Sequence, residues 1–224
     1  MVRRTLDIDQ AARLAFAGYK PHKFPDFEDL IVESLNKKHV QAHLLKNDIV
    51  VIPGSNSAFD YLLYNLRMFR VGAKKYRVVD TNDEAGDSGT RWHQGFLAHA
   101  RIVYDWIKDS EHLDGRKPSL IIGHSLGGAS AQILSMSFGV YAVTFAAPRT
   151  KSNDDRITND RLCLNIMRSD DTVPKIPETI IHMGIPALMV PSKRSLLPRH
   201  HMKRYIWALS NHDLPSAVPK TWPK

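Results

Sequence analysis

Apolar positions along the 224-residue chain fall into two kinds of run, and their alternation is the first structural signal. Over 10–18 and 26–36 they recur at threes and fours, which predicts two helices, the second capped by Asp26. Asp48-Ile-Val-Val-Ile-Pro53 is instead a short β-branched block ending at Pro-Gly, and it reads as a buried strand. A helical stretch is expected from Ala58 to Phe69, a strand over 76–80, and a polar, glycine-bearing loop over 83–89. From Trp92 to Asp109 the helical period returns, with Phe96, Ala100, Val103 and Ile107 on one face. The next strand is expected at 119–123 and a helix rich in small residues at 129–138. Further strands follow at 140–145, 162–167 and 180–189, before a last helix over 201–210. Strands alternating with helices predict an α/β fold, a central mostly parallel sheet with helices on both faces. No internal repeat or low-complexity block breaks the series. The length suits one domain over 1–224, with the Pro-bearing 213–224 as a flexible tail.

Composition narrows the class. Hydrophobic residues at 43% and charged residues at 24% exclude a largely disordered chain. The single cysteine, Cys163, has no partner for an internal disulfide, which fits a reducing compartment. Asp7, Asp9 and Arg13 interrupt any apolar run behind Arg3 and Arg4, so a secretory leader is not expected. No window reaches the roughly 18 apolar residues of a membrane-spanning helix. The expected location is cytoplasmic. The net charge of +8 permits peripheral contact with an anionic membrane surface or nucleic acid. Lys and Arg are scattered, however, with short clusters only at Lys37-Lys38, Lys74-Lys75 and Lys203-Arg204, so no dedicated nucleic-acid site is expected. The histidines lack metal-ligand spacing, and no metal site is expected.

Gly123-His124-Ser125-Leu126-Gly127 fits G-x-S-x-G, a strand-to-helix turn that exposes a nucleophilic serine. Its backbone is strained, and a side chain at either glycine would collide with neighbouring elements. The turn lifts the Ser125 Oγ off the sheet and aims the Leu126 N–H at an oxyanion, beside a helix N-terminus. The five-residue pattern alone is a weak signal. Its context strengthens it: Leu120, Ile121 and Ile122 lead in, and Gly128, Ala129, Ser130 and Ala131 lead out. A base and an orienting acid are then expected downstream, the acid first. The acids include Asp154, Asp155, Asp160, Asp170, Asp171 and Glu178; the later histidines are His182, His200, His201 and His212. Asp171 stands out because Asp171-Thr-Val-Pro174 reads as a turn beyond a strand's carboxyl end, where sites assemble on parallel sheets.

These residues resemble the class 3, fungal-type lipases of the α/β-hydrolase fold. Ile52-Pro-Gly-Ser55 resembles the family's Arg-Gly-Thr/Ser segment, which supplies an oxyanion donor, and Trp92-His-Gln-Gly-Phe96 its Val-His-x-Gly-Phe. Gly123-His-Ser-Leu-Gly-Gly-Ala129 matches its elbow, and Phe145-Ala-Ala-Pro-Arg149 its Pro-Arg segment. Arg168-Ser-Asp-Asp-Thr-Val-Pro174 resembles its Asp-x-Val-Pro acid motif, and His182-Met-Gly184 the His-x-Gly that follows. The resemblance spans about 48–205. It implies Ser125 as nucleophile and Asp171 as orienter, with Asp170 one place off the motif. His182 and His93 fall where the family has structural histidines. His200-His-Met-Lys-Arg-Tyr205 resembles a His-x-Met-x-x-Tyr in which the first histidine is the base; this points to His200, with His201 the rival and His212 a third candidate. The oxyanion donors implied are the N–H groups of Ser55 and Leu126, although Pro53 replaces the usual arginine.

The activity implied is hydrolysis of carboxylic esters of lipids through an acyl-enzyme, with a lipid or small ester as substrate and no cofactor. A phospholipase or thioesterase is the alternative among enzymes, and a silent lipid-binding module the alternative outside them. Phe59, Leu62, Leu63, Leu66 and Phe69 form an apolar stripe directly after the oxyanion segment, which reads equally as a lid or as a helix packed on the core.

Overall fold

The computed structural model describes residues 5–37, 40–54, 69–71, 74–76, 83–85, 89–152, 159–178, 180–190, 199–210 and 218–223. Their core is a seven-stranded sheet whose spatial order follows the chain: β1 (Ile31–Lys37), β2 (Val40–Leu45), β3 (Ile49–Ile52), β4 (Leu120–His124), β5 (Ala142–Phe145), β6 (Cys163–Arg168) and β7 (Ile185–Met189). The first three strands form an antiparallel meander. From β3 to β7 every pairing is parallel. The inner parallel strands β3, β4 and β5 are short runs buried on both faces, because helices cover both sides, whereas the edge strand β7 leaves Pro186 and Leu188 exposed.

One face is covered by α2 (Gln94–Lys108) and α3 (Leu126–Phe138), the crossovers that follow β3 and β4. The other is covered by α1 (Ile8–Ala17) and α4 (Met202–Ser210), which come from opposite ends of the chain and pack on each other. Helix α1 is capped by Asp7, whose carboxylate accepts from the Asp9 and Gln10 N–H groups. Its Ala11, Ala12 and Ala15 are buried, and these small side chains let it lie close to the sheet. Helix α3 is buried on almost every side, and each polar residue it buries is satisfied. Ser130 meets His99 at 2.6 Å, the Gln132 carbonyl accepts from Thr150 at 2.6 Å, and Ser135 donates to the Val140 carbonyl at 2.6 Å.

Three expectations change. Residues 26–36 are not a helix: only Pro25–Glu28 makes a helical turn, and Ile31–Lys37 is the edge strand β1, paired with β2. Phe27, Leu30, Ile31 and Leu35 satisfy a helical period, but the β1–β2 pairing overrides it, with Ile31 and Leu35 packed against opposite faces of the sheet. The 83–89 loop is partly paired, since Asp83–Ala85 forms a two-stranded ribbon with Arg91–His93. The tail expected at 213–224 is docked over 218–223: Thr221–Trp222 pairs with Leu6–Asp7, and Val218 and Trp222 are buried beside α1. The 58–69 helix and the 76–80 strand lie almost wholly outside the described residues; at their limits Phe69–Val71 pairs with Lys74–Tyr76.

Several histidines are locked into this interior as neutral rings. Burial lowers the pKa of His43 from 6.5, and takes His99 and His182 to about 4. Burial, and then the neighbouring His200, take His124 to about 3. An unfolded chain takes up protons on these rings below about pH 6.5. Their contribution is therefore intact above that pH and is lost as pH falls toward 4 and 3, at up to about 1.4 kcal/mol per ring per pH unit. The thermal midpoint is expected to fall by about 10 °C or more between pH 7 and pH 4.5. Equal midpoints in a melt monitored at both pH values would contradict this.

Candidate active site

Strand β4 ends at His124 and helix α3 begins at Leu126, so Ser125 alone makes the turn. Its backbone sits at φ 55° and ψ −123°, a left-handed conformation that a non-glycine residue adopts only under constraint. Two glycines make the turn possible. A Cβ at Gly123 would lie 2.7 Å from the Gly128 Cα, and one at Gly127 would overlap the Ile52 carbonyl and lie 2.6 Å from the Pro53 oxygen. Strand β4, helix α3 and strand β3 therefore meet at backbone distance. The Ser125 N–H is held by the Phe145 carbonyl at 3.0 Å, which ties the turn to β5 as well.

Beyond β6, Asp171 lies in a tight turn and accepts from the Val173 N–H at 3.0 Å. His200 lies just ahead of α4. Its Nε2 is 2.8 Å from the Ser125 Oγ, and its Nδ1 is 2.9 Å from Asp171 Oδ2. A carboxylate only accepts, so Nδ1 carries the proton and donates to Asp171, leaving Nε2 free to accept from the serine hydroxyl. All three side chains are buried. Burial alone would raise the Asp171 pKa; bonds from His200, from the Val173 N–H and from the Tyr205 hydroxyl outweigh it and hold the carboxyl below its usual range. Tyr205 lies fully buried on α4 and donates to Asp171 Oδ2 at 2.8 Å, while accepting the Arg168 N–H at 3.2 Å. Burial, and then the Asp171 charge, raise its pKa well above 10, so it remains a donor.

The alternatives named from sequence separate in space. Asp170 turns away to take both Arg168 Nε and Nη2 at 3.1 Å. His201 is half-buried against Phe16, and its Nδ1 accepts the Lys203 N–H at 3.1 Å. His182 donates to the Pro174 carbonyl at 2.8 Å, and the His93 ring lies 4.5 Å from that of Phe96. Asp154, Asp155 and His212 lie outside the described residues, as does Ser55. Gly54, the residue before Ser55, is described: a Cβ placed on it would lie 2.9 Å from that of Ser125, so the chain leaves β3 directly against Ser125. Leu126 opens α3, and its N–H is among the first four that have no partner within a helix. Among the described residues, no group of three or more His, Cys, Asp or Glu could hold a metal ion, and no helix is long and apolar enough to cross a membrane.

The model of the class 3 lipase family matches residues 49–180, more than half of the chain. The chain belongs to this family. It is a carboxylic ester hydrolase of the lipase type, on the α/β-hydrolase fold. Solved lipases share the fold at low identity. Lip2 lipase from Yarrowia lipolytica superposes with a TM-score of 0.57 at 17% identity, covering 89% of this chain and 84% of its own. A lipase from Rhizopus microsporus var. chinensis gives 0.56 at 15% identity, covering 88% and 79%. The Rhizomucor miehei lipase–propeptide complex gives 0.55 at 15%, covering 92% and 79%. None of the curated proteins compared matches the chain.

Three residues around this lipase site escaped the sequence reading as contributors. Tyr205 was visible as the last letter of His-x-Met-x-x-Tyr, and His124 as the first x of the elbow, but neither position carried a stated role. Tyr19 had no local signal. The different surroundings of the two adjacent acids give a direct contrast. Asp171→Asn should lower kcat by about 10³- to 10⁴-fold, because the neutral amide no longer fixes the His200 tautomer. Asp170→Asn should stay within about fivefold of the parent enzyme. Steady-state rates on a soluble ester check both, and a larger loss at 170 than at 171 would reverse the assignment.

Proposed function

We propose that this lipase cleaves lipid esters by two-step acyl transfer, with Ser125 as nucleophile, His200 as general base and Asp171 as its orienter. The observation that carries the reading is the unbroken hydrogen-bonded line Ser125–His200–Asp171, at 2.8 and 2.9 Å, on the carboxyl ends of the parallel strands. The Ser125 oxygen attacks the ester carbonyl as His200 Nε2 takes its proton. Asp171 stabilises the imidazolium, which then protonates the leaving alcohol. The N–H groups of Leu126 and Ser55 stabilise the oxyanion, the first with the positive end of α3 behind it. Water, activated by the same histidine, then releases the acid. This sequence uses side chains and backbone alone.

We take residues 1–224 as one hydrolase domain acting on a lipid or related ester, with the +8 charge favouring peripheral contact with anionic lipid. The lone, buried Cys163 is compatible with a reducing, cytoplasmic setting.

Ser125→Ala should cut turnover of a short-chain nitrophenyl ester by at least about 10³-fold. The parent should turn over emulsified long-chain esters faster than the same esters below their solubility limit. Parent-like turnover by the alanine variant would remove Ser125 from the mechanism. A preference for thioesters or phospholipids across a substrate panel would redirect the specificity to a thioesterase or phospholipase.

A further inference from the structure

Behind the Ser125–His200 pair runs a second polar chain that the acyl transfer does not use. The Gly54 N–H donates to the Tyr19 hydroxyl at 2.9 Å, that hydroxyl meets His124 Nδ1 at 2.5 Å, and His124 Nε2 meets the His200 carbonyl at 3.2 Å. The direction of each bond follows from the two backbone ends. A carbonyl only accepts, so His124 carries its proton on Nε2 and donates to His200. Its bare Nδ1 then accepts from Tyr19, whose oxygen accepts in turn from Gly54. His124 remains neutral, because burial and the neighbouring His200 take its pKa to about 3, and burial raises that of Tyr19. Neither residue is thus a proton carrier near neutral pH.

The chain joins four separate pieces of the fold. Tyr19 follows α1, Gly54 follows β3, His124 ends β4, and His200 precedes α4. The segment bearing Tyr19 is itself anchored, since His43 Nε2 lies 3.0 Å from the Gly18 carbonyl. The His124 ring also stacks on that of His200, with centroids 5.0 Å apart and planes at 30°. One side chain therefore touches both the ring and the backbone of the proposed base, while its partner holds the residue that leads into Ser55.

We propose that Tyr19 and His124 are positioning residues that lock the oxyanion loop and the His200 loop into one register about Ser125. The proposal rests on the roles given above to Ser125, His200 and Ser55. Losing either half leaves a buried donor or acceptor unpaired and frees one loop relative to the nucleophile. A displacement of about 1 Å at reacting groups is enough to cost about 100-fold in rate.

Two single variants cut the chain at different bonds. Tyr19→Phe removes the acceptor for Gly54 and the donor to His124. His124→Asn keeps an acceptor near Tyr19 but is too short to reach the His200 carbonyl. Both are measured on a soluble nitrophenyl ester beside the parent and Ser125→Ala. Rates of the parent and the two variants are expressed per active site titrated by a phosphonate, so that partial unfolding does not count as loss of rate, and that of Ser125→Ala is expressed per folded chain. Expected is a fall in kcat of about 10- to 100-fold in each, with KM within about threefold. The double variant should be no more than about threefold below the poorer single, since both break one chain. Parent-like kcat per titrated site in both singles overturns the proposal, and so do losses that multiply in the double variant. If this happens while Ser125→Ala is inactive, only the positioning role falls. Turnover by Ser125→Ala overturns the catalytic assignment and this proposal with it.

Discussion

The positive φ at Ser125 is the constraint on which the rest of this site depends. A serine in the middle of a strand would point its hydroxyl into the helices that cover the sheet, and one inside a helix would lie along a flank. Holding it at a turn of one residue places the hydroxyl above the carboxyl ends of the strands and points the first N–H groups of α3 the same way. Such a conformation persists only when its surroundings over-determine it. Here β3, β4, β5 and α3 converge on it, and the closeness of β3 to α3 is possible because Gly127 has no side chain to collide with Ile52.

Around that turn the polar groups form chains with little freedom of direction. Asp171 takes bonds from His200, Val173 and Tyr205, each from a different piece of backbone. Such a carboxylate keeps its charge even when buried, and that charge fixes the proton on His200 Nδ1. Asp170, one residue earlier, faces Arg168 instead. The difference between the two is set by the turn after β6. Tyr205 ties α4 to the same turn, so helix and acid cannot shift independently, and His200 lies just ahead of that helix. The dry surroundings strengthen each bond and make each missing one costly.

How much of this is legible in sequence depends on how local the physics is. The elbow writes itself as glycines because the steric demand falls on the residues next to Ser125. Asp171 is marked by the Val-Pro that shapes its turn. His200 and His201 differ by a single step in the backbone before α4, and only the packed helix decides which of them reaches the serine. Strand β1 was misread because Phe27, Leu30, Ile31 and Leu35 fit a helical period, and only pairing with β2 reveals them as edge-strand positions. Pro and polar residues near 213–224 suggested a tail, whereas Trp222 finds a pocket beside α1 that no local pattern announces. Tyr19 lies over a hundred residues before His124, so a contact between them leaves no trace in either neighbourhood.

The central claim is that the fold activates one particular hydroxyl among the many serines of this chain. Treatment with a fluorophosphonate, followed by proteolysis and tandem mass spectrometry of the adduct, tests it most directly. Such reagents phosphonylate activated serines far faster than ordinary ones, and mapping reports the position without reference to any substrate. The account predicts one adduct per chain, on Ser125 within the peptide that contains Gly123–Gly127. Stoichiometric labelling at any other residue, or none in a chain that is folded by its thermal melt, would contradict it.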